Sequence, residues 1–91
     1  MSLPLHAQVR NILDLDGRTY TSSYNRHGAV LTPARPGQVI YLGRACDAFA
    51  PGQGTGRWST RDGRIYIELT DGRVLQITGN LRRDLAERCP L

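Results

Sequence analysis

Two Asp-Gly pairs, Asp62-Gly63 and Asp71-Gly72, punctuate residues 57 to 78, RWSTRDGRIYIELTDGRVLQIT, and this stretch constrains the fold more than any other. Asp-Gly between alternating apolar residues is a strong hairpin signal, because glycine accepts positive φ without steric cost. Ile65, Ile67 and Leu69 alternate with Arg64, Tyr66 and Glu68, the two-residue period of a half-buried strand. The stretch therefore reads as three antiparallel strands joined by two tight turns.

Register follows from which turn keeps the apolar set together. At the second turn, a two-residue loop would pair Leu69 with Val74 and split the aliphatics between two faces. A three-residue loop, Thr70-Asp71-Gly72, pairs Ile67 with Leu75 and Ile65 with Ile77, and leaves Tyr66, Glu68, Val74 and Gln76 opposite. A one-residue slip inverts every side chain, so the three-residue loop is expected. At the first turn, a two-residue loop Asp62-Gly63 sets Trp58 against Ile67 in the core, which is the expected arrangement. A three-residue loop would instead display Trp58 beside Tyr66 as a ligand platform.

The remaining chain reads as further strands. Residues 8 to 15 form one, with Val9, Leu13 and Leu15 on one face. Asp16-Gly17 turns into residues 18 to 24, pairing Leu13 with Tyr20 and Val9 with Tyr24. Residues 25 to 28 are a turn, 29 to 31 a short strand, and 32 to 37 a loop broken by Pro33, Pro36 and Gly37. Residues 38 to 42 are an apolar strand. The segment GRACDAFAPGQGTG, residues 43 to 56, reads as a long glycine-rich loop. Residues 81 to 88 read as a short helix with Asn80 as its N-cap, and Leu81, Leu85 and Cys89 as its inward stripe. Residues 1 to 7 are expected to be loosely ordered. The fold expected is a single mainly β domain over residues 1–91: a small antiparallel β-barrel or sandwich of six to seven strands with a short C-terminal helix.

Length makes fastening valuable. A chain of 91 residues with 40% apolar and 7% aromatic content builds only a modest core. A Cys46–Cys89 disulfide would close a loop worth about 4 kcal/mol in the chain-entropy model. The other reading is two buried thiols in a cytosolic protein; the bridge is expected, since small core-poor domains use one. The inward stripe of the helix points Cys89 to where Cys46 can meet it. With the bridge, the protein is periplasmic or secreted after removal of a signal peptide. Residues 1 to 10 carry no apolar signal core, so with Met1 as the native start the compartment is the cytoplasm and the thiols are free. No apolar run is long enough to span a bilayer.

Charge and motif spacing narrow the function classes. All twelve basic residues are arginines, and the net charge is +4, which favours acidic partners. The Gly52-Gln53-Gly54-Thr55-Gly56 run lacks the helix and the Lys-Ser/Thr pair of a phosphate loop. Two distant cysteines and the lone His6 and His27 match no metal spacing, so no metal and no cofactor are expected. A bridged Cys46 cannot act as a nucleophile, and the chain is expected not to be an enzyme. A glycine loop of this length invites a binding role. Gln53, Thr55, Arg57 and Trp58 are its candidate residues, offering amide, hydroxyl, guanidinium and indole, with Arg61 and Arg64 beside them.

Two family likenesses attach to this segment. IYLGRACDAF followed by GQGTGRW, residues 40 to 58, resembles a pattern in small uncharacterised bacterial secreted proteins. GTGRW followed by a polar hairpin is similar to the loop of the membrane-bound inhibitors of C-type lysozymes. That likeness implies a small disulfide-bonded periplasmic β-barrel whose loop enters an enzyme cleft. Thr55-Gly56-Arg57-Trp58 is one residue short of the inhibitor pattern, and Arg61 or Arg64 would replace its lysine.

The function expected is a non-catalytic periplasmic or secreted module that recognises a protein or glycan with an acidic surface through the glycine-rich loop. Inhibition of a cell-wall hydrolase is one version. The alternative is a cytosolic β-barrel that binds single-stranded nucleic acid through Tyr20, Tyr24, Tyr41, Trp58 or Tyr66 and nearby arginines. Residues 57 to 61, read as an outer strand, offer an edge for homodimerisation.

Overall fold

A computed structural model describes residues 10–14 and 17–91, with side chains described from residue 17 onward. The strands are β1 (Arg10–Asp14), β2 (Thr19–Asn25), β3 (Gly28–Pro33), β4 (Ile40–Gly43), β5 (Asp47–Ala50), β6 (Gly54–Arg61), β7 (Arg64–Leu69) and β8 (Val74–Thr78), followed by one turn of helix, α1 (Arg83–Ala86). Each strand pairs antiparallel with the next. The seven strands β2 to β8 make one strongly curled sheet, and β1 closes it against β8 through Leu13↔Thr78 and Asp14↔Ile77. The fold is mainly β, a small antiparallel barrel with a short C-terminal helix.

Both registers expected from the Asp-Gly turns are observed. Ile65 faces Ile77 and Ile67 faces Leu75, with the Leu69 N–H bonded to the Arg73 carbonyl and Gly72 at φ +95°. Trp58 faces Ile67 across the two-residue turn, where Asp62 and Gly63 both take positive φ. Such a turn carries the twist of the flanking strands. Inside the barrel, Leu31, Leu42, Ile65, Ile67, Leu69 and Ile77 are buried. Each such side chain contributes about 1.5–3 kcal/mol by leaving water.

Several local expectations are corrected. The β1–β2 register is shifted by one: Leu13 faces Thr19 and Ile12 faces Tyr20, so the connection is one residue longer than the Asp16-Gly17 turn alone. The expectations for residues 1–7, His6, Val9, Leu15 and Asp16 lie outside the described residues. β3 continues through Thr32 and Pro33, opposite Thr21 and Tyr20. Proline is accommodated there because it ends the strand, where the missing N–H costs no further ladder bond. The helix is shorter than expected and begins after Arg82. No side chain caps it, so Asn80 is not its N-cap. Leu81, Leu85 and Cys89 are nonetheless buried as expected.

The largest correction concerns residues 43 to 56. They are a hairpin wall, not a long loop: β5 pairs with β4 on one side and with the first half of β6 on the other. Small residues make this possible. A Cβ on Gly56 would overlap the Glu68 carbonyl oxygen, and one on Gly28 would overlap that of Leu42. These glycines let neighbouring strands approach and the sheet curl. β5 covers residues 54 to 57 of β6, so that half of the strand offers no free edge for dimerisation. Where β5 ends, the C-terminal segment takes over: the Thr60 N–H donates to the Cys89 carbonyl, and the Leu91 N–H to the Thr60 carbonyl. The Cys46–Cys89 disulfide joins the two at that handover.

Candidate functional site

Strand alternation decides which side chains of the hairpin wall face outward. On β4, Ile40 and Leu42 are buried and Tyr41 is exposed; on β5, Ala48 and Ala50 are buried, and Asp47 and Phe49 are exposed. Tyr41 and Phe49 are opposite one another across β4 and β5. Their rings stack with centroids 6.1 Å apart and planes inclined by 13°, yet they remain 44% and 45% exposed. The outward row continues to Val30 on β3 and to Thr55 on β6. A parallel row on the next pleat runs Asp47, Arg57, Glu68, Val74.

The aromatic pair borders a groove of about 420 Å³ between the β2–β3 and β4–β5 turns. Asn25 shapes its near wall, its Oδ1 accepting from the His27 and Gly28 N–H groups. The two turns are tied by the Arg44 N–H donating to the His27 carbonyl. Arg26, His27, Arg44 and Asp47 supply the polar rim. Neither Arg26 nor Arg44 forms an ion pair among the described residues, whereas Arg61, Arg73, Arg82 and Arg83 each do.

The six residues expected to form one site fall into four places. Trp58 is 2% exposed, a core residue whose Nε1 donates to the Gly43 carbonyl at 2.8 Å; it cannot stack on a ligand. Thr55 and Arg57 are exposed on the outer face near Phe49. Gln53 lies in the β5–β6 turn, where its carbonyl accepts from Arg73 Nη2 at 3.0 Å. Arg61 and Arg64 face each other beside the Asp62-Gly63 turn. At roughly 3.3 Å per residue along β6, Arg61 stands roughly 26 Å from Gln53. The structure thus brings together Thr55 with Arg57 and Arg61 with Arg64, and keeps these two pairs apart from each other and from Trp58. Phe49 was the residue missed, although its spacing of two from Asp47 already placed both on one face.

Away from the groove, two carboxylates are paired with arginines. The Arg73 backbone and guanidinium donate to Asp71 and hold its carboxyl below the ordinary value of 3.8. Arg82 does the same to Asp84 through a side-chain bond of 2.7 Å, and that bond raises the Arg82 pKa in turn. The Arg82 guanidinium also lies over the Tyr24 ring at 4.7 Å, while the Arg82 backbone N–H donates to the Tyr24 hydroxyl. Tyr24 is therefore occupied with the helix, and Tyr20 is buried, which leaves Tyr41 and the half-buried Tyr66 of the expected aromatic candidates. No group of three His, Cys, Asp or Glu among the described residues could hold a metal, and no described helix is long and apolar enough to cross a membrane.

The segment resembling the lysozyme-inhibitor loop, residues 54 to 58, lies within β6 and is paired with β5 and β7. Comparison with protein-family models, curated proteins and solved structures gives no match.

Proposed function

We propose that this chain is a non-catalytic binding module of a bacterial extracytoplasmic compartment, periplasmic or secreted, that recognises an anionic partner through the outer face of β4, β5 and β6. The observation that carries this reading is the Tyr41–Phe49 pair. On β5 the fold buries two alanines and leaves the phenylalanine outside. Leaving both rings nearly half exposed while small residues fill the core forgoes roughly half of the about 1.5–3 kcal/mol that full burial of each would contribute. Exposed aromatics of this kind are regained on binding a partner. The disulfide supports an oxidising compartment, and the net charge of +4 supports an anionic partner.

The binding residues of this reading are Tyr41, Phe49, Thr55 and Arg57, with Arg44 at the rim. A version in which residues 55 to 58 plug an enzyme cleft requires a protruding loop, and we do not retain it. The test is co-sedimentation of the protein with washed bacterial envelopes. Wild type is expected to be retained, and Tyr41→Ser/Phe49→Ser to remain in the supernatant with an unchanged circular dichroism spectrum. Equal retention of both proteins would overturn the reading. Free thiols in protein isolated from its native cells, together with a salt-sensitive oligonucleotide shift, would favour the cytosolic nucleic-acid-binding alternative instead.

A further inference from the structure

Resting on the binding-module reading, we infer that the groove beside Tyr41 and Phe49 is a subsite for a sugar chain bearing carboxylates. Three properties of the groove lead there. Its volume of about 420 Å³ falls within the range of small-ligand sites, roughly 300–1,000 Å³. Its apolar lining is small, two rings with Val30, Ala29, Leu42 and Ala45, whereas a stable protein interface needs about 800 Å² per partner around a packed apolar centre. The two rings stack on one another across β4 and β5 and stay partly exposed. A pyranose presents a flat face of C–H groups with hydroxyls around its edge. It can lie against exposed ring surface while its hydroxyls meet the polar rim.

The rim selects the charge. Arg26 and Arg44 sit on the two turns that flank the groove and make no ion pair among the described residues. A guanidinium offers a planar fork of donors that matches a carboxylate. Other anionic polymers fit less well. Any chain charged at every unit meets Asp47 and Glu68 on either side of Arg57 if it leaves the groove across the sheet, which limits the fit to a short segment, whereas a phosphodiester strand needs cations along a longer path. An extended acidic peptide docks by adding to an open sheet edge, and the strands bearing the rings are paired on both sides.

Calorimetric titration with a galacturonic acid oligomer and with its methyl ester tests this, since the ester keeps the sugar rings and removes the carboxylate charge. Wild type should bind the acid form more tightly than the ester, by roughly tenfold or more. Phe49→Ala should lose both ligands, and Arg44→Gln should bind both equally. Two wild-type outcomes overturn the inference: equal affinity for acid and ester, or tighter binding of a thymidine oligonucleotide or polyglutamate. Acid binding that survives Phe49→Ala also overturns it, because charge alone would then be responsible. If envelope retention depends on Tyr41 and Phe49 while the uronate oligomer does not bind, this inference fails and the module reading stands. If neither is seen, both fail.

Discussion

Trp58 holds both ends of the β4–β5 turn: its Nε1 donates to the Gly43 carbonyl at 2.8 Å, and its backbone N–H donates to the Cys46 carbonyl at 2.9 Å. One buried residue on β6 thereby fixes the turn that carries Arg44 and half of the disulfide. Trp58→Phe keeps an aromatic ring but removes the indole donor. The expected loss is about 1–2 kcal/mol, read from urea unfolding followed by far-ultraviolet circular dichroism. An unchanged midpoint would show that the Gly43 contact is incidental.

Cys46 has φ +69°, the left-handed region that costs a non-glycine residue about 1–2 kcal/mol. It occupies the last position of a three-residue hairpin turn, where glycine is usual. Without the bridge, glycine should therefore serve better there than serine. Cys46→Gly/Cys89→Ser is expected to be more stable than Cys46→Ser/Cys89→Ser by about 1 kcal/mol. Both should fall below the oxidised wild type by about 2–4 kcal/mol. Guanidinium unfolding of the three proteins gives the order.

Glycines of the hairpin wall are not equivalent. Gly56→Ala sets a Cβ against the Glu68 backbone, and a loss of about 1–3 kcal/mol is expected. Gly52 has open space around it and φ +81°, a conformation asparagine tolerates. Gly52→Asn should stay within about 1 kcal/mol of wild type. Thermal unfolding distinguishes the two. By the same logic, replacing residues 53 to 56 with a short turn removes the start of β6 and should abolish the cooperative transition.

Acid sensitivity has a defined direction. Asp71 and Asp84 carry folded-state pKa values below 3.8, so the unfolded chain takes up their protons first as pH falls. Their stabilisation is present above that value and is lost as pH falls through the lower folded values. Asp71→Asn should lower stability at neutral pH and flatten the acid limb of a stability-against-pH curve. A limb of unchanged slope would show that the Arg73 bonds do not persist in solution.

The meander was legible because one choice of register kept Ile65, Ile67, Leu75 and Ile77 together, and a slip would have split them. The same reasoning misplaced β1 by one residue, since alternation over residues 8 to 15 does not distinguish a two-residue from a three-residue connection. β5 was obscured by its composition: Asp47-Ala48-Phe49-Ala50 has its largest side chain outside, so an apolar-in reading finds no strand. The proposed binding face was hidden for the same reason, because Phe49 looks like a core residue until Ala48 and Ala50 are seen to take the interior. The disulfide was legible from the helical stripe, which placed Cys89 inward even though only Leu85 of that stripe lies within α1.

The handover from β5 to the C-terminal segment along β6 has a kinetic consequence. The wall beside Thr60 is completed by residues 89 to 91, and the bond that secures it spans 43 positions. Synthesis delivers position 46 well before position 89, so in the interval β6 presents bare backbone donors and acceptors and Cys46 is a lone thiol. Whatever guards the nascent chain against mispairing must act during that interval, before the seam is oxidised.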